Sequence, residues 1–302
     1  MKKLLLTLLL LINSAMAQDI EVIVSVPAGN FVDLLCRNVM ESYDTLHGTK
    51  SVVINVPGGD QSIAHRQFIT NNKSKLLCGG SSPAGLNQKL FPNTSPASDT
   101  IRPIIAMLSM GQFIYTPIGH PDTIAGLIKR SKETGKSVLV GGFSNNSTKL
   151  FSMYLTNHNV KHEIVLYKNP AESLISLREG NLDVYVDAGT IKPTLDQHSY
   201  VKEIAHISSG TKRSNSENLY DKLLPHSAGL TVATVIYGKS DMSDSEAQLF
   251  NKQFNNAIKS ENTQNFYKTR VPFHTPINST VKDVENRLKN TREYLDKYYV
   301  HN

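Results

Sequence analysis

Residues Ile20 to Asp33, IEVIVSVPAGNFVD, constrain the fold more tightly than any other stretch. Ile20, Val22, Val24 and Val26 alternate onto one face while Ile23 fills the other, the pattern of a strand buried on both sides. Pro27 and Gly29 stop the strand, and Gly29 or Asn30 accepts the φ > 0 that most residues resist. From Val32 the spacing turns helical, with Val32, Leu35, Cys36, Val39, Met40 and Tyr43 sharing one face. A strand, loop and helix in this order direct backbone N–H groups into a crevice, where they suit a negatively charged group. An ordinary turn without a ligand has the same appearance.

The unit recurs. A strand over Ser51–Val56 runs into Pro57-Gly58-Gly59-Asp60 and a helix from about Ser62 to Asn71, with Ile63, Phe68 and Ile69 inward. Another over Lys75–Cys78 ends in Gly79-Gly80-Ser81-Ser82-Pro83. Three such units in a row argue for parallel strands covered by helices. Ile101–Ile118 is strand material broken at Gly111, and Thr123–Lys132 is a short amphipathic helix. Beyond it the unit returns: Ser137–Val140 before the loop Gly141–Thr148, Ile164–Tyr167 before a helix over Pro170–Glu179, and Leu182–Val186 ending at Asp187. Thr231–Tyr237 reads as a return strand. Helices follow over Ser243–Lys259, Asn262–Thr269 and Val281–Tyr299, the first with Ser243 and Glu246 at capping-box spacing. Crossings near Gly111 and Val232 divide the chain into two lobes, 18–110 with 235–302 and 111–234, joined as a hinge requires.

Met1–Ala17 has the form of a secretory signal: Lys2 and Lys3, an apolar run over Leu4–Ile12, and Ala15-Met16-Ala17 as the cleavage site. The run is far short of the ~20 residues that span a bilayer, and no Cys follows it to carry a lipid. Without Lys2 and Lys3 the balance is 30 basic to 26 acidic residues, scattered rather than clustered, which argues against nucleic acid as a partner. Cys36 and Cys78 are free to form a disulfide in an exported protein, or to stay buried as small hydrophobes. Gly135-Lys136-Ser137 has Arg130 where a phosphate loop needs its first Gly. Ser209 and Lys212 have SxxK spacing without its companion motifs, and His158 with His162 lacks a third metal ligand. No catalytic, metal or cofactor constellation emerges.

In order and spacing these segments resemble the substrate-binding proteins of tripartite tricarboxylate transporters, the Bug family. The resemblance rests on Pro27-Ala28-Gly29-Asn30-Phe31-Val32-Asp33, Val53-Ile54-Asn55-Val56-Pro57-Gly58 and Leu76-Leu77-Cys78-Gly79-Gly80-Ser81-Ser82. It continues through Asn87 and Leu90, Gly141–Ser147, Val165–Asn169 and Gly180–Asp187. Departures fall in the loops: Asn30 stands for a Gly, which Asn tolerates through αL geometry. Asp60, Gln61, Ser144 and Asn146 also stand for Gly, and Phe143 is large. The resemblance implies an α/β, two-lobed periplasmic-binding-protein fold of type II-like form, each lobe a mostly parallel sheet flanked by helices with the ligand in the cleft.

It implies capture of a small carboxylate and delivery to membrane permease subunits, by a monomer in the periplasm. A sensory partner presenting the same clamp to a signalling receptor is the alternative. A carboxylate is held without arginine by backbone N–H groups and hydroxyls. Those donors are Ala28, Gly29, Asn30 and Phe31 on the first loop, Gly80, Ser81 and Ser82 on the third, and Ser144, Asn145, Ser147 and Thr148 on the fourth. Each Ser or Thr serves equally as a helix cap. Asp33 either meets a ligand amino or hydroxyl group or supplies favourable charge in the first helical turn. Asp187 ends a strand at the expected crevice. Protein recovered from the periplasm should begin at Gln18, read by intact mass; a chain beginning at Met1 would contradict cleavage after Ala17.

Overall fold

The computed structural model describes residues 19–142, 145–167, 170–189, 191–208, 215–219, 222 and 232–298. Met1–Ala17 lies outside them. The opening strand β1 (Asp19–Val24) leads to helix α1 (Phe31–His47), then β2 (Lys50–Asn55), α2 (Ser62–Thr70) and β3 (Ser74–Gly80). Short helices α3 (Ser82–Gly85) and α4 (Asn87–Leu90) precede β4 (Ile101–Met110) and β5 (Gln112–Pro117). The middle of the chain forms α5 (Ile124–Thr134), β6 (Val138–Gly142), α6 (Asn145–Asn157), β7 (His162–Leu166), α7 (Pro170–Arg178), β8 (Val184–Asp187), α8 (Lys192–Leu195), β9 (Val201–Ile207) and β10 (Glu217–Asn218). It closes with β11 (Val232–Lys239), α9 (Asp244–Lys259), α10 (Glu261–Arg270), β12 (Thr275–Pro276) and α11 (Val281–Tyr298).

These strands form two sheets, ordered β12-β4-β11-β3-β1-β2 and β10-β9-β5-β8-β6-β7. In the first, β1 runs parallel to β2 and β3, while β11 lies antiparallel between β3 and β4. In the second, β6 runs parallel to β7 and β8, while β5 lies antiparallel between β8 and β9. The chain leaves the first sheet at Met110, passes Gly111, and joins the second at Gln112. Strands β11 and β12 of the first sheet, and β5 of the second, run against the βα units.

The two faces of β1 are both buried, as the alternation requires. Ile20, Val22 and Val24 pack with Leu35, Val39 and Met40 of α1, and Ile23 packs on the opposite side with Phe68 and Leu77. The second sheet repeats the arrangement, with Val140 and Val186 against Leu150 and Phe151 of α6, and Phe113 and Tyr185 against Leu177 of α7. Left-handed Gly48, φ 65°, closes α1 and sends its N–H back to the Asp44 carbonyl.

Two local readings change. Ile63 is exposed rather than inward; the buried face of α2 is Ala64, His65 and Phe68. Its side chain lies instead against Gly58, where an added Cβ would come within 2.9 Å of Ile63 Cδ1. Strand β9, VKEIAHI, escapes the apolar pattern because Lys202, Glu203 and His206 interrupt it, yet it pairs with β5 along Val201–Ile207.

Cys36 and Cys78 are joined, tying α1 to β3 across 42 residues with their Cα atoms 6.3 Å apart. The disulfide joins the helix that follows the first loop to the strand that precedes the third. A Cys36→Ser/Cys78→Ser variant should lose roughly 4 kcal/mol of stability, the chain-entropy value for a loop of this length. Urea unfolding would measure the loss, and an unchanged midpoint would refute it.

Candidate functional site

The first loop is held by a buried acid. The Asp33 carboxylate is 1% exposed and accepts the Gly29 N–H at 2.8 Å, Asn55 Nδ2 at 2.8 Å and Arg37 Nε at 2.9 Å. Asn55 Nδ2 also donates to the Val26 carbonyl, and Arg37 Nη2 donates to Asn55 Oδ1. Strand β2 is thereby laced to the loop after β1. Gly29 takes φ 81°, the left-handed geometry that glycine adopts without strain. Asn30 does not: at φ −61° and ψ 149° it is extended, and its side chain accepts the Val32 N–H as the cap of α1. Among the described residues the Ala28 and Phe31 N–H groups have no acceptor.

The third loop is built around Gln61, a residue that the sequence marks only as a missing glycine. Asp60 and Gln61 both have positive φ, 47° and 75°, a strained conformation for residues with a side chain. Gln61 Oε1 accepts the Ser25 hydroxyl and the Gly80 N–H, each at 2.7 Å. Because a backbone N–H can only donate, the orientation of the amide is fixed, with Nε2 turned away from that bond. A Cβ at Gly80 would lie 2.8 Å from Nε2, and one at Gly79 would lie 2.0 Å from Ser25 Oγ. The paired glycines therefore leave room for Ser25 and Gln61 over the strand end. Gln61 Nε2 has no acceptor among the described residues. Ser81 Oγ accepts the Ala233 N–H at 3.1 Å, and Ser82 is buried at the start of α3.

In the second sheet, Thr148 is wholly buried, its methyl filling the space where a Cβ on Gly142 would stand. Ser147 is buried beside it, Asn145 begins α6, and Ser144 lies outside the described residues. Asp187 ends β8 and accepts the Ile191 N–H at 3.1 Å, closing the turn into α8. Lys192 in that helix is 5% exposed and paired with Asp196 and Glu203. Burial, followed by the hydrogen bond to Asp196, pushes the Tyr115 hydroxyl well above its ordinary pKa, so it stays protonated and donates to Asp196 at 2.8 Å. The Lys192 cation is thus already neutralised by its two acids.

The loops of the two sheets meet at His274, which sequence reasoning missed. Its ring lies 5.2 Å from that of Phe31, and Nδ1 accepts the Gly111 N–H at 3.4 Å. Gly189 approaches so closely that a Cβ would stand 2.4 Å from His274 Cε1. The preceding Phe273 lies over Lys192, 5.3 Å from Nζ. One segment from beside the first sheet thus touches both the first-lobe loop and the strand ends of the second. A separate cavity of about 320 Å³ is lined by Ala84, Gln88, Asp99, Glu285, Arg292 and neighbours, none of them from these loops.

No protein-family model matches the chain, and no curated protein matches it. Solved structures do. It is similar to the periplasmic binding protein BugD at 16% identity, with 94% of this chain and 98% of that one aligned and a TM-score of 0.74. Rpa4515 from R. palustris, solved with adipate, is 15% identical over 94% and 97%, with a TM-score of 0.77. MatC from Rhodopseudomonas palustris, solved with malate, is 14% identical over 92% and 98%, with a TM-score of 0.72. The chain has the periplasmic-binding-protein fold.

Asp33→Ala should lower stability by about 1–3 kcal/mol by stranding its donors, with faster amide exchange over residues 25–30. Arg37→Ala, whose side chain is 44% exposed, should cost at most about 1 kcal/mol. Equal costs in urea unfolding would contradict the central role of Asp33.

Proposed function

We propose that this chain is an exported solute receptor of the tripartite tricarboxylate transporter type, a Bug-family protein that clasps a small carboxylate between two lobes. Its partners are that solute and the permease subunits of the transporter. The moving lobes are residues 18–110 with 235–302 and residues 111–234. The observation that carries the reading is the convergence on His274: the first loop reaches it through Phe31 and the second lobe through Gly189. Similar folds solved with adipate and malate support an acid as the ligand.

The chemistry is that of neutral donors. Ala28 and Phe31 N–H, at the N-terminus of a 17-residue helix, offer hydrogen bonds and the favourable end of its dipole to an anion. Gln61 Nε2 adds two more N–H bonds from a fixed amide. Backbone and amide donors bind a carboxylate without the desolvation penalty of burying a second full charge. The ligand's greater affinity for the closed form drives closure. Binding and release suffice for this function, so no turnover is expected.

A thermal-shift screen of small carboxylates should find one that raises the melting temperature, at ~100 times its Kd by the equivalent of about 2.7 kcal/mol. X-ray scattering with that acid should show a more compact particle. Gln61→Glu keeps the acceptor for Ser25 and Gly80 but replaces the donor with negative charge. It should weaken binding by roughly tenfold or more at little change in the melting temperature of the unliganded protein. Asn30→Pro, which removes the N–H donated to the Pro27 carbonyl at 3.2 Å, should also weaken it. A tightest ligand that is not an acid would sink the reading.

A further inference from the structure

Gln112 opens β5, one residue beyond the crossing at Gly111. It is 2% exposed, and neither its Oε1 nor its Nε2 has a hydrogen-bond partner among the described residues. A carboxamide brings two donors and an acceptor oxygen with two lone pairs, and burying all of them unanswered opposes folding. Its surroundings would suit an apolar side chain. Gln112 stands opposite Ile207 on β9 and shares a face with Ile114, both of them buried hydrophobes of one cluster. Only its position distinguishes it. Phe113, next in the strand, pairs with Asp187 at the end of β8, so Gln112 lies on the rim from which the second-lobe loops depart. The Gly111 N–H beside it donates to His274, the residue on which the two lobes converge.

We propose that Gln112 is a specificity residue that reads a neutral donor–acceptor group on the ligand, a hydroxyl or a carboxamide, at the end remote from its carboxylate. This rests on the receptor reading above and deepens it. A methyl end would leave both amide atoms unanswered. A second carboxylate only accepts, so it would answer Nε2 and strand Oε1. A hydroxyl or carboxamide answers both. Sites built to hydrogen-bond such a group reject analogues that lack it strongly, because the buried partner is left unpaired. The unliganded protein tolerates an unfavourable amide, and the correct ligand relieves it.

The test compares wild type with Gln112→Met in calorimetric titrations against two length-matched series. One is butanoate, 4-hydroxybutanoate, succinamate and succinate; the other is hexanoate, 6-hydroxyhexanoate, adipamate and adipate. Wild type should bind a hydroxyl- or amide-ended acid about tenfold or more tighter than the methyl-ended acid and the diacid of the same length. Gln112→Met should erase that preference while the melting temperature of the unliganded protein stays level or rises. A wild type that prefers the diacid or the methyl-ended acid overturns the proposal, as does a variant that keeps the preference. If Gln112→Met and Gln112→Leu both unfold the protein, the amide is satisfied within the fold and the proposal also fails. If a diacid or a methyl-ended acid is the tightest ligand, the receptor reading survives and only the role of Gln112 falls. If no acid shifts the wild-type melting temperature, the receptor reading falls first.

Discussion

Asp33 carries its charge under the first loop, where three donors from three parts of the chain close on it. A buried carboxylate persists only when its oxygens are answered, so each donor is committed to its place. Gly29 is held at its left-handed geometry, Asn55 pins the end of β2 beneath the loop, and Arg37 comes from the next turn of α1. Asn30 is thereby relieved of making the turn and caps the helix instead. The N–H groups left over, on Ala28 and Phe31, acquire a fixed direction from this network.

The same economy appears on the second strand end. Gln61 sits at a strained backbone and spends its oxygen on Ser25 and Gly80, so that the first and third loops share one amide. The Cys36–Cys78 disulfide fixes the elements below those loops. Together they tie the loops of the first sheet to α1 and β3. The second sheet meets it where Gly189 packs against the His274 ring and Lys192 lies over the Phe273 ring.

Where physics is local, the sequence displays it. The alternation of Ile20–Val26, the helical face from Val32 to Tyr43 and the break at Gly111 all follow from side-chain period and glycine placement, and the structure carries each. Strand β9 was hidden because its charged residues serve contacts: Glu203 pairs with Lys192. Ile63 misled because the space it fills belongs to glycines four and five residues earlier. The candidate site was legible as loops but not as bonds. Asn55 is 22 residues from Asp33 and Gln61 is 19 from Gly80, distances over which no period runs. His274 stands alone between α10 and a two-residue strand, and nothing in its neighbours signals a contact with Phe31. Gln112 opens an apolar strand, where a lone polar residue attracts no notice until its burial is seen.

The place of β11 bears on how the molecule is assembled. This strand lies between β3 and β4, although more than a hundred residues separate it from both. Among the described residues the second sheet draws its strands from Gln112–Asn218 and has its pairing partners as soon as that stretch exists. The first sheet does not: β3 and β4 keep facing edges open until Val232 and its successors arrive to zip between them. A chain emerging N-terminus first thus completes its second sheet before its first. The first sheet is the last to close, and until then the facing edges of β3 and β4 are the surfaces most exposed to wrong partners.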